Sequence, residues 1–210
     1  MTVGNLQLTQ PRPATWIAVF TGVLLWSGFE PKDTVTWMLE VAPAIAAAAI
    51  LFATRNRFPL TRLAYVLILV HAIILMVGGH YTYAEVPVGD WFRDLFDSPR
   101  NNYDKLGHLA QGFVPAIVAR EVTIRLNVFN GAGWRNVFIV SFCLGVSAFY
   151  ELIEWWVALL SDEAADAFLG TQGYVWDTQS DMFLALIGAV LALVSLGRLH
   201  DRQLAALEGD

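Results

Sequence analysis

A chain of 210 residues that is 56% hydrophobic and only 15% charged is too apolar for a soluble domain. Its mean hydropathy of +0.51 is that of a polytopic membrane protein. A net charge of −6 argues against a nucleic-acid partner, and one cysteine, Cys143, excludes a disulfide framework within the chain.

Residues 1–13 are polar, include Pro11 and Pro13, and read as a short tail. No early apolar stretch ends in a small-residue cleavage site, so no removable signal peptide is expected. A membrane span needs roughly 20 apolar residues. The first candidate covers residues 15–29, the second 37–53 with Pro43 inside it, and the third 63–79. A polar, aromatic stretch follows over 80–102. Within it Asp90, Asp94 and Asp97 alternate with Trp91, Phe92, Leu95 and Phe96, a pattern that fits equally a short amphipathic segment lying on the membrane or lidding a site and a solvated loop. The fourth span runs over 103–124, with a kink expected at Pro115. Asn130, Gly131 and Gly133 mark a turn. The fifth span covers 137–160 and holds Cys143 as a small buried residue. A polar loop over 161–176 leads to the sixth, 177–196, and a charged tail. The fold expected is an all-α bundle of six transmembrane helices over residues 14–199, with tails at 1–13 and 200–210.

Six spans put both termini on one side. Nine of the 13 Lys and Arg residues fall on that side, so both termini are expected in the cytoplasm. Fifteen of the 19 acids fall outside or near the outer boundary.

Ionisable side chains inside apolar segments are functional-site candidates by default. Asp104 and His108 open the fourth span at i, i+4 spacing, and Asp177 and Asp181 open the sixth in the same way. Glu151 and Glu154 lie near the outer end of the fifth, beside Trp155 and Trp156. All six fall at one height, with Glu85 more loosely associated. Carboxylates with an imidazole suit a divalent metal such as zinc, manganese or iron. His108, Glu151, Glu154 and Asp181 are therefore the expected ligands, with Asp104 or Asp177 orienting a ligand or acting as general base.

Each pair has a plainer reading. Thr178 and Asp181 match a capping box, and Asp177 complements a helix dipole. Asp104 has Lys105 as a local ion partner, and Lys105 also has the reach to snorkel to the interface. Glu151 and Glu154 oppose the dipole at a helix C-terminus and need a partner: a metal, a shared proton, or a cation such as Arg93 or Arg100. His71, alone in mid-span, reads as a hydrogen-bonded structural histidine. His80 stands near enough to join the site, with Tyr81 and Tyr83 in an aromatic belt. Glu121 with Arg120 and Arg125 reads as an ion network at the cytoplasmic edge, and His200 as solvated.

Three motifs carry a resemblance: Asn101-Asn102-Tyr103-Asp104-Lys105-Leu106-Gly107-His108-Leu109-Ala110-Gln111-Gly112-Phe113-Val114-Pro115-Ala116, Tyr150-Glu151-Leu152-Ile153-Glu154-Trp155, and Trp176-Asp177-Thr178-Gln179-Ser180-Asp181-Met182. Together they resemble the YjdF family of bacterial inner-membrane proteins. The likeness implies a small polytopic protein of the inner membrane and brings no reaction with it. Asp104, Lys105, His108, Asp177 and Asp181 are more distantly similar to the VanZ-like membrane proteins, which are linked to the cell envelope.

Three function classes follow. The first is a metal-dependent envelope enzyme, a hydrolase acting on a lipid-linked or small polar substrate from the extracytoplasmic side. The second is a proton-coupled or small-solute transporter using Glu151, Glu154 and His71 as a relay. The third is a non-catalytic accessory subunit of a larger membrane complex. The expected partners are membrane lipid and further copies of the chain or a larger complex.

Overall fold

The computed structural model describes residues 13–160 and 172–208. The tail expected before residue 13 and most of the polar loop at 161–176 lie outside the described residues. Every regular element described is helical: α1 (Pro13–Ser27), α2 (Thr34–Thr54), α3 (Arg62–Tyr81), a 3₁₀ turn (Tyr83–Glu85), α4 (Pro87–Phe96), α5 (Tyr103–Arg125), α6 (Ala132–Leu160) and α7 (Asp177–Glu208). The six long segments expected from hydropathy all become helices.

Local chemistry sets their ends. Asp33 caps α2 by accepting from the Thr36 amide at 2.6 Å, and Thr61 caps α3 by accepting from the Ala64 amide at 3.3 Å. Asp97 closes α4 in the left-handed conformation, with φ 49°. Pro43 and Pro115 stay inside α2 and α5.

Successive long helices run up and down. At one end His80 contacts Ser27, Tyr150 reaches Glu40 and Lys105 reaches Asp177; at the other, Trp16 reaches the Tyr65 carbonyl and Gln203 the Leu63 amide. Helices α5 and α7 thus run parallel and make the most extensive contact in the bundle. Their backbones touch through reciprocal glycines. A Cβ on Gly112 would collide with the Ala185 carbonyl, and one on Gly188 with the Leu109 carbonyl. With Ala116, Ala189 and Ala192 fully buried beside them, this is close small-residue packing of the kind that membrane helices use.

Two apolar cores result. Phe20, Val41, Ala44, Ala72 and Met76 join α1, α2 and α3, while Ile117, Ile139, Cys143, Ala189 and Ala192 join α5, α6 and α7. Helix α3 packs on α5 and bridges the halves, but α2 and α6 do not pack along one another. The gap between them is a cavity of about 880 Å³.

Four helices, α2, α3, α6 and α7, are long and apolar enough to cross a membrane; α1, with 15 residues, is shorter. Helix α5 has the length, 23 residues, but not the apolar composition. The reason is its central position, where Gly107, His108, Gly112, Arg120 and Glu121 face protein rather than lipid. Helix α4 is amphipathic, with Trp91, Phe92, Leu95 and Phe96 all exposed and Arg93 paired with Asp90 and Asp94.

The charged C-terminal segment differs from expectation. Helix α7 continues to Glu208, and Gln203 and Leu204 are buried. His200, expected in solvent, is fully buried instead. Its imidazole lies between Arg120 and Glu121, and that hydrogen bonding outweighs its nominal place in a tail.

The distribution of basic residues predicts that a reporter fused after Glu208 is active only in its cytoplasmic form, and one placed after Leu160 only in its extracytoplasmic form. The opposite pair of signals would invert the topology.

Candidate functional site

The first turns of α5 and α7 and the last turns of α6 converge at one end of the bundle. His108 Nε2 lies 3.3 Å from Asp104 Oδ1 and 3.7 Å from Glu151 Oε1. Ligand atoms of Asp104, His108 and Asp181 all lie within 4.8 Å of one another, and so do those of His108, Glu151 and Glu154. His108 thus belongs to both triplets. Its ring is buried, as are Asp181, Glu151 and Glu154. Helical periodicity places Asp104 with His108, and Glu151 with Glu154, on common faces; the close approach of α5 to α7 brings in Asp181.

The other ring nitrogen fixes the orientation. His108 Nδ1 lies 3.1 Å from Gln111 Oε1, one turn along α5. With a proton on Nδ1 it donates to Gln111, and Nε2 is the nitrogen that faces the carboxylates. Gln111 was not among the residues singled out from sequence, although His108-x-x-Gln111 has the spacing of a helix-face pair.

Two cations hold one side of the cluster. Lys105 Nζ donates to Asp177 Oδ1 and Asp181 Oδ1, each at 2.6 Å, and Arg100 donates to Asp177 Oδ1 at 2.6 Å. Arg100 also lies 3.9 Å from Asp104. Lys105 therefore turns inward rather than snorkelling, and Asp177 sits in an ion network one turn from the triplets. Neither Arg93 nor Arg100 forms the expected ion pair with Glu151 or Glu154 among the described residues: Arg93 stays on α4, and Arg100 serves Asp177. Glu151 Oε1 is buried with no hydrogen-bond partner among the described residues. Such an atom demands a partner, since an unpaired buried carboxylate oxygen is costly.

Glu40 was missed. It is almost fully buried on α2, and its carboxylate accepts a hydrogen bond from the Tyr150 hydroxyl at 3.1 Å. This bond ties α2 to α6 at the acidic end. Glu40 is the lone ionisable residue of the stretch 37–53, and that should have flagged it.

Two other candidates lie apart from the cluster. Glu85 is exposed and pairs with Lys32. His80 contacts the Ser27 carbonyl at 3.0 Å and lies over Trp26. His71 lines the cavity between α2 and α6 together with Glu40, Asp104, His108 and Glu154.

A family model described as "Predicted membrane protein (DUF2238)" matches residues 12–202. The chain belongs to this family. The inner membrane protein YjdF of Escherichia coli (strain K12) is 52% identical over 184 residues, covering 88% of each chain. No solved structure matches. The family match spans all three motifs read from the sequence, whereas the VanZ-like resemblance finds no support. The DUF2238 chain is a multi-pass protein of the inner membrane, all-helical in its described residues.

Proposed function

We propose that the chain binds one divalent cation, zinc, manganese or iron, at His108, Glu151 and Glu154, with Asp181 as a further ligand. We propose that it uses this site to hydrolyse a lipid-linked or small polar substrate at the extracytoplasmic face. The observation that carries the reading is the shared position of His108 in two ligand triplets, one of them wholly buried. Glu151 Oε1 adds to it: buried, it has no hydrogen-bond partner among the described residues and only the His108 ring, at 3.7 Å, as a nearby cation. Carboxylates and one imidazole from facing helices are a donor set suited to these metals.

A cation held there would polarise a carbonyl or phosphoryl oxygen and acidify a bound water. Gln111 fixes the tautomer and tilt of His108. Asp104, 3.3 Å from Nε2, stands where it can accept a proton, and is the candidate general base. Arg100 and Lys105 hold Asp177, and Lys105 also holds Asp181. Asp177 acts at one remove, as an anchor for both cations.

A proton relay through Glu154 and His71 is favoured less. Between Glu40 and Thr54, α2 contributes Pro43, Ala44, Ala47, Ile50 and Leu51, a hydrocarbon stretch with no ionisable group beyond Glu40.

The test is thermal unfolding of purified protein after chelation and reloading. Manganese, zinc or iron(II) at about 100 times its dissociation constant should stabilise by about 2.7 kcal/mol. No shift with any of the three would remove the metal reading.

A further inference from the structure

We infer that the gap between α2 and α6 is the binding groove for a single long hydrocarbon chain of a lipid, with the lipid's polar head at the His108, Asp104 and Glu154 end. This rests on the proposed metal site for the role of the head, but not for the seat of the chain.

Three observations carry it. The first is shape. The cavity of about 880 Å³ is lined from Glu40 to Thr54 on α2 and from Phe138 to Glu154 on α6. At about 1.5 Å per residue these stretches are each over 20 Å long. That exceeds half of a hydrocarbon core about 30 Å thick. A small polar solute has no use for such a length.

The second is polarity. The acidic and phenolic groups of the lining, namely Glu40, Asp104, Glu154, Tyr83 and Tyr150, sit with His108 at one end. Away from them the wall is mainly aliphatic and aromatic, interrupted by His71, Gln111, Thr54 and Thr123, and carries no further acid. This is the division of a molecule with one polar end and a long apolar tail.

The third is access. The two apolar cores lie on either side of the gap, α3 and α5 form its floor, and Ile50, Phe138 and Phe142 at its rim are exposed. The hydrogen bond from Tyr150 to Glu40 closes it at the acidic end. A chain therefore enters sideways from the bilayer, and its head slides under that bond. The two strong cations of the site, Arg100 and Lys105, are spent on Asp177 and Asp181. An anionic head, such as a phosphate ester, then needs the bound metal as its counter-charge, whereas the tail does not.

The experiment measures binding of lysophosphatidate with an 18-carbon chain to the full-length protein by native mass spectrometry, with and without manganese. Ala47→Phe and Val146→Phe project into the groove from its two sides, while Ala46→Phe lies on the exposed face of α2 outside the lining. Each groove variant should weaken binding at least tenfold while keeping metal-induced thermal stabilisation, and Ala46→Phe should match the wild type. A 6-carbon analogue should bind at least tenfold more weakly than the 18-carbon one. Equal binding to all three variants, or indifference to chain length, would overturn the groove. Binding that responds to the groove variants but not to manganese would keep the groove and count against the metal as holder of the head. A groove variant that unfolds is replaced by Ala47→Leu or Val146→Leu, for which the same loss is expected in smaller measure.

Discussion

Glu151→Gln and Glu154→Gln should each abolish metal-induced stabilisation while leaving the metal-free protein as stable as the wild type or more so. The sign follows from burial. Both carboxylates are buried near the helix C-terminus and face the acids of α5 and α7. Neutralising one relieves repulsion and desolvation together. The same change removes an anionic ligand. Residues that merely orient ligands typically cost 10- to 100-fold in metal affinity, so a ligand itself should cost more than about 100-fold. Gln111→Ala should fall in that lower range, because it frees His108 to rotate without removing a donor. Isothermal titration in detergent, paired with thermal unfolding, reads both signs. A Glu→Gln variant with full metal affinity would remove that residue from the ligand set. A variant that destabilises the metal-free protein by several kcal/mol would make its role structural.

Glu121→Ala should be among the most destabilising single changes, and it should leave metal affinity untouched. Glu121 is fully buried and accepts from the Thr61 amide at 2.8 Å, the Thr61 hydroxyl at 2.7 Å, Arg125 at 3.1 Å and His200 at 3.1 Å. It thus ties the cap of α3 and the last turns of α5 to α7. Breaking a buried charged network from one side costs about 3–5 kcal/mol. The site is 17 residues along α5 from Asp104, roughly 25 Å at the helical rise. His200→Ala should reproduce much of the loss. Thermal denaturation checks the first half and metal titration the second. Near-wild-type stability combined with lost metal binding would join this network to the functional site.

The two ends of the molecule differ in how far the sequence reveals them. Helix positions followed from hydropathy, because a lipid-facing helix must be apolar along its whole length. The convergence of Asp104, His108, Glu151, Glu154 and Asp181 followed from spacing and depth: charges that cannot face lipid turn inward at a common height. What spacing cannot give is the partner across a helix interface. That Lys105 and Arg100 turn to α7 rather than to Glu151 depends on Gly112 and Gly188 letting α5 and α7 approach, and neither glycine announces its neighbour. His200 was misread for the same reason. A histidine in a charged segment looks solvated until α7 proves long enough to reach Arg120 and Glu121. Glu40 was legible by the rule applied elsewhere, as a lone carboxylate in an apolar stretch. Its contact with Tyr150, 110 residues away, was not. The groove was invisible because it is made by the absence of packing between α2 and α6, and no residue pattern within either helix encodes that.

The most direct measurement is elemental analysis of protein purified from membranes without added metal or chelator, run beside His108→Ala. The account predicts about one atom of manganese, zinc or iron per chain in the wild type and none in a correctly folded His108→Ala. Wild-type protein free of all three that also fails to take them up on reloading would contradict it. So would an equal metal content in the two proteins.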